Sequence, residues 1–316
     1  MLKKRKWLLL ITFMISVILI VTVFKQFEEE KPKVVIVLKN FDFHYWDFVK
    51  AGAEKGFKDF GVDGRVIAPK GGTREEQKNM VKDILKEKPD VLIISPIYAP
   101  TLIPELETFV ENDIPVLLIH SDDSWENKTA YIGTNNLELG RRAGILMASQ
   151  LQPGDKVALL GGEQVAVEGE RTKGIKASLE AVGIKITVQK EGLPPNHPEV
   201  VENRMEVILQ NNPDLKGVIT TSEYLAIPAL KVIQEQGLDI PVTGADGSIE
   251  MLKVIQEGTL PSAVTQNPYD MGYLSVETAT KVTKGEKANP IIDSGVDIIT
   301  KENAKQRLEF YNKLLK

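Results

Sequence analysis

From residue 33 to residue 265 of this 316-residue chain, short apolar runs alternate with amphipathic helical stretches. Residues 34–38 are apolar without a polar break, the pattern of a strand buried on both faces. Tyr45, Val49, Ala53, Phe57 and Phe60 follow at helical spacing, and Gly61 ends that helix. The cycle continues with strands over 65–68, 91–95 and 116–120, helices over 74–87 and 102–112, and a short run at 130–133. A second series then begins. It has helices over 136–151, 169–182, 198–210 and 249–257, and one more whose first turn holds Pro228, where a missing N–H is tolerated. Its strands cover 156–160, 184–190, 217–221, 242–245 and 262–265. Strands in strict alternation with helices build parallel sheets covered on both faces. The expected fold class is therefore α/β, with two doubly wound parallel-sheet lobes. A helix over 269–284, a run at 296–299 and a helix over 302–315 are too little for a third domain and must complete the first two. The chain thus crosses between lobes more than once, and such crossings make a hinge and a cleft.

In open parallel sheets ligands bind beyond the carboxyl ends of the strands. The first strand is followed by Lys39, Asn40, Phe41, Asp42, Phe43, His44, Tyr45 and Trp46. The third ends in Ser95, and the fourth leads into His120, Ser121, Asp122 and Asp123. The second series contributes Glu163, Gln164, Ser222, Glu223, Asp246 and Gln266, with Arg171 early in a helix that starts at the same end. Carboxylate, amide and guanidinium groups each bind neighbouring hydroxyls, and aromatic faces cover the C–H face of a sugar ring. The set suits a polyhydroxylated ligand. Singly, each residue also has a plainer reading: Asp246-Gly247 as a turn, Arg171 as an exposed helix residue, His120 as a strand-end residue, and one of Tyr45 and Trp46 as core.

Other chemistries are excluded or unsupported. A net charge of −5 gives no basic field for nucleic acid. The absence of cysteine removes disulfides, zinc–thiolate sites and a lipid-modified N-terminal cysteine. No nucleophile elbow, phosphate loop or zincin motif occurs, and the three histidines lack metal-ligand spacing. No enzyme activity, cofactor or metal is expected.

From about Lys33 to its end the chain resembles the ribose-type periplasmic (type I) sugar-binding proteins. The resemblance is carried by Tyr45-Trp46, Ile114-Pro115-Val116, Gly169-Glu170-Arg171 leading to Gly174, Ser222-Glu223 leading to Ala226, Gly244-Ala245-Asp246-Gly247, and Thr265-Gln266 before Pro268. It implies a clamshell closing on a sugar, with crossings near 133–135, 266–268 and 294–297. One lobe would then hold 33–133 and 267–296, the other 134–266 and 297–316. It also implies ligand contacts from Tyr45 and Trp46 by stacking and from Arg171, Asp246 and Gln266 by hydrogen bonds. Ser95, His120 and Ser222 complete the candidate set. Family members often have asparagine where this chain has Ser95 and Ser222, and an Asp-Arg pair where it has His120-Ser121, which makes ribose itself doubtful unless Asp122 substitutes. Alanine at Asp246 or Arg171 is expected to abolish binding and leave the fold intact.

The N-terminus sets the location. Residues 1–6 carry the basic cluster Lys3, Lys4, Arg5 and Lys6, and 7–24 are eighteen residues without a charge. At about 1.5 Å per residue that run nearly crosses a ~30 Å hydrocarbon layer. No small-residue cleavage site follows it, so a retained single-pass anchor in the cell membrane is expected, with 25–32 as a stalk and the bulk outside. Two partner readings follow: an ABC-type sugar permease, or a histidine kinase for which the chain is an anchored sugar sensor. The retained anchor favours the second, and the resemblance favours the first.

Overall fold

A computed structural model of the chain describes residues 30–41, 44–123, 125–161, 166–194 and 197–315. The expected membrane helix over 7–24 lies outside them. The first series forms β1 (Lys33–Val37), α1 (His44–Phe60), β2 (Asp63–Ile67), α2 (Arg74–Glu87), β3 (Val91–Ile94), α3 (Ala99–Glu111), β4 (Val116–Ile119) and β5 (Ala130–Gly133). The second forms α4 (Asn136–Ala148), β6 (Lys156–Leu160), α5 (Ala166–Ala181), β7 (Lys185–Lys190), α6 (Pro198–Asn211), β8 (Leu215–Thr220), α7 (Glu223–Glu235), β9 (Val242–Thr243), β10 (Ala245–Asp246), α8 (Ile249–Glu257) and β11 (Ser262–Gln266). The tail adds α9 (Pro268–Thr283), β12 (Ile291–Asp293), β13 (Val296–Thr300) and α10 (Lys301–Leu314).

The apolar runs end where their chemistry requires. Every residue of β3 and β4 is buried, because helices cover both faces of the sheet. This sheet is parallel throughout, in the order β12-β5-β4-β3-β1-β2. In the second lobe β7-β6-β8-β9 is parallel, and β10 pairs with β11, which pairs antiparallel with β13. The strand expected over 242–245 is split. Val242 and Thr243 pair with β8, and after Gly244 the chain pairs with β11 instead. The chain leaves the six-stranded sheet after β5, returns to it between β11 and β12, and leaves it again between β12 and β13. Thr134, Gln266 and Ser294 meet there: Thr134 Oγ1 donates to Gln266 Oε1 at 2.9 Å and lies 3.5 Å from Ser294 Oγ.

Three helix starts differ from expectation, and the first of these is α5, which begins at Ala166 rather than at 169. The helix over 102–112 begins at Ala99, with Pro104 inside it. α7 begins at Glu223, so Pro228 sits in its interior rather than in the first turn. The helix is one i→i−4 hydrogen bond short at that point, and the burial of Leu225, Ala226, Ala229 and Val232 holds it together regardless. β12 was not expected at all, since Ile291 is exposed and the strand is three residues long.

Candidate functional site

Arg171 is 3% exposed on α5, which crosses α4 closely enough that a side chain at Gly140 would sit 2.1 Å from the Arg171 carbonyl. Its Nε donates to Asn136 Oδ1 at 2.9 Å and its Nη1 to the Thr221 carbonyl at 2.8 Å. Nη1 also lies 2.8 Å from Asp246 Oδ1. Burial works against the guanidinium charge, but the Asp246 and Glu168 carboxylates outweigh it and Arg171 is held above its ordinary value. Gln266 Nε2 donates to Asp246 Oδ1 at 2.6 Å, and Gln266 Oε1 accepts from the Tyr45 hydroxyl at 3.3 Å. A continuous polar chain therefore runs Tyr45–Gln266–Asp246–Arg171–Asn136 from one lobe into the other.

Among the described residues, four non-glycine positions have positive φ: Lys88, Asp113, His120 and Asp246. The first two terminate helices, but His120 at 70° and Asp246 at 94° do not, and both are predicted site residues. Backbone held in this region is strained and persists where a site over-determines it. Next to Asp246, Gly247 has φ 83°, and any side chain there would strike Thr265.

On the other lobe three rings converge. The Tyr45, Trp46 and His120 centroids are 5.1, 5.3 and 5.0 Å apart pairwise. Trp46 is packed in the core with Leu38 and Val49, whereas Tyr45 is half-buried and lines an interlobe cavity of about 360 Å³. Burial, with help from Lys39 and Arg171, pushes His120 well below its usual pKa, so the ring is neutral and offers one donor and one acceptor. His120 Nδ1 lies 3.1 Å from Ser121 Oγ, which accepts from Lys39 at 3.0 Å.

Ser95 is fully buried at the end of β3, and its hydroxyl has no partner among the described residues. Gln77 braces its backbone, donating to the Ser95 carbonyl at 2.9 Å. A buried hydroxyl without a partner is a rarity that a ligand hydroxyl would satisfy. Ser222 is the N-cap residue of α7, without a side-chain cap bond. Asp122 lies 3.1 Å from Lys128 on the outer loop, which ties it to that lysine rather than to the Arg171 cluster. Asp42, Phe43, Glu163 and Gln164 lie outside the described residues.

Two contributors, Asn136 and Thr134, escaped the candidate set, whereas Glu223 was among the residues expected beyond the strand ends. Asn136 and Thr134 flank the first crossing and orient Arg171 and Gln266; their adjacency to the hinge was the available signal. Glu223 is 4% exposed, and its carboxylate accepts from the Ser248 backbone N–H at 2.5 Å. Burial and the nearby Asp246 push it up to about 8. It lines the cavity with Tyr45, Phe48, Tyr224, Asp246 and Tyr311. Because Arg171 is a buried charge paired with Asp246, loss of either partner is expected to cost stability as well as binding.

The model of the family described as periplasmic binding protein domain matches residues 34–287. The chain is 27% identical to the ribose import binding protein of Bacillus subtilis over 255 residues, which is 80% of this chain and 82% of that one. It is 22% identical to the D-allose-binding periplasmic protein of Escherichia coli, over 81% of this chain and 86% of that one. Both are binding proteins rather than enzymes. Among solved structures, the glucose-galactose binding protein GanP of Geobacillus stearothermophilus superposes with a TM-score of 0.77 at 25% identity, covering 87% of this chain and 99% of that one. A periplasmic ribose ABC transporter protein of Conexibacter woesei shares the fold with a TM-score of 0.83 at 21% identity, over 88% and 95% of the two chains.

Proposed function

We infer the function of this chain from the fact that it belongs to the periplasmic binding protein domain family. It is a solute-binding protein whose lobes close on a small neutral sugar or polyol, which it delivers to an ABC-type permease from the outer face of a membrane. The observation that carries this reading is the buried Tyr45–Gln266–Asp246–Arg171 chain across the hinge, because it brings donors and acceptors from both lobes to one place. The relatives that bind ribose and allose support a polyhydroxylated ligand. Neutral His120 and the carboxylates of Asp246 and Glu250 around the cavity favour an uncharged ligand over a sugar acid.

A thermal-shift screen of pentoses, hexoses, inositols and sugar acids tests this. At a hundredfold excess over Kd a true ligand adds about 2.7 kcal/mol, roughly 5–10 °C in Tm. One or more neutral members should give that shift; a screen without any shift would sink the sugar reading. A second reading, an anchored sensor that signals through a histidine kinase, is favoured by one feature: the uncharged run over 7–24 without a cleavage site. In that case the closed form is the signal.

A further inference from the structure

α1 belongs to the first lobe. Its Trp46, Val49, Ala53 and Phe57 pack on that lobe's sheet. Phe48, on another side of the same helix, is also only 2% exposed, yet it is buried in the second lobe's core with Leu308 and Tyr311. Its ring stacks on Tyr311 with centroids 3.8 Å apart and planes inclined by 16°. Tyr311 is carried by α10, which is anchored in the second lobe through Ala304 and Leu308. The same helix reaches the middle crossing, where Arg307 Nη1 donates to Asn267 Oδ1 at 3.0 Å. It also touches the start of α9, where Phe310 meets Tyr269 edge to face at 5.3 Å. α10 lies beyond residue 287, outside the part of the chain that the family model matches.

We propose that Phe48 and Tyr311 form a latch that holds the lobes closed without ligand and sets ligand affinity through the open–closed equilibrium. The physical reason is that parting the lobes would return Phe48 to water, and burying an aromatic side chain is worth at least a factor of ten in such an equilibrium. Both rings also line the cavity, so their effect on the closed fraction has to be read with no ligand present. The latch does not depend on the ligand being a sugar.

The chain has no cysteine, so labels can be placed at will. Glu75→Cys at the start of α2 and Glu199→Cys at the start of α6 are both exposed, one on each lobe. Nitroxides there report the interlobe distance by pulsed electron resonance on the full chain in detergent, with no ligand added. The latch predicts a single short distance for the otherwise unaltered chain. Phe48→Ala should populate a longer distance, with the closed-to-open ratio at least ~10-fold lower, whereas Tyr311→Phe, which keeps the ring, should not. A Phe48→Ala distribution identical to that of the unaltered chain would overturn the latch, as would an unaltered chain that is already open without ligand. A melting curve checks that each variant is folded; if Phe48→Ala is not, Phe48→Leu and Tyr311→Leu are judged by the same criterion. Because no ligand enters the measurement, failure of every sugar to bind would leave the result standing.

Discussion

Glu223 and His120 bind protons in opposite senses on folding. Glu223 stays protonated in the folded state up to about pH 8, and an unfolded glutamate ionises near pH 4.3. Its contribution to stability is therefore lost as pH rises through that window, by up to about 1.4 kcal/mol per unit. His120 is held neutral in the fold, while an unfolded histidine takes up a proton below about pH 6.5, so its contribution is lost as pH falls below that value. The two slopes oppose each other below pH 6.5, and only the Glu223 slope remains from there to pH 8. Tm of the unaltered chain should fall across pH 6.5–8, and Glu223→Gln, which can still accept from the Ser248 N–H, should flatten that fall. An unchanged slope in the variant would place the titrating group elsewhere. Asp246 calls for a different test from simple truncation. Asp246→Ala leaves the Arg171 charge buried without its carboxylate, and breaking such a pair is worth about 3–5 kcal/mol. The variant should lose both ligand binding and thermal stability, which melting curves with and without ligand would separate. Sequence reading identified Asp246 because it follows a strand end and Arg171 because it lies early in a helix that starts at the same end. It gave no sign of their mutual distance, since 75 positions separate Arg171 from Asp246 and only the packing of α5 on α4 fixes where the guanidinium lies.

At the level of elements, that packing is the sensitive point. Gly140 lets the α4 backbone touch α5 at Arg171, so an added methyl there pushes α5 outward. Gly140→Ala should destabilise the chain by about 1–3 kcal/mol through overpacking and also weaken ligand binding, because it shifts Arg171 away from Asn136. Titration calorimetry that finds normal affinity in a destabilised Gly140→Ala chain would show that Arg171 adjusts on its own. The element order was largely legible in the sequence, because strands buried on both faces read as uninterrupted apolar runs such as 34–38 and 91–94. What was not legible follows from tertiary context. β12 is short and mostly exposed, and is a strand only because Ile291 to Asp293 pair with β5. Pro228 lies inside α7 because burial of the surrounding side chains overrides its missing donor. The pair Tyr45-Trp46 looked alike in sequence, and only the fold separates the core ring from the one that lines the cavity.

For the whole molecule, the hinge and the proposed tether limit each other. In that proposal residues 25–32 serve as a stalk of eight residues, a length of chain that reaches no more than about 28 Å. A body held this close to the membrane searches a surface rather than a volume, which raises its effective concentration at a membrane partner. Closing of the lobes then changes the shape presented to that partner without releasing the protein. The expected outcome is that the chain stays in the membrane pellet through an alkaline carbonate wash, with the intact mass of about 35.1 kDa. A soluble product that begins after the uncharged run would mean that residues 7–24 are a cleaved leader, and the sensor reading would lose the feature that favours it. If the intact chain is retained, chemical crosslinking in membranes with and without ligand separates the two partners. Delivery predicts ligand-dependent crosslinks to a permease, because only the closed form carries cargo. Sensing predicts them to a histidine kinase, because there the closed form is itself the message.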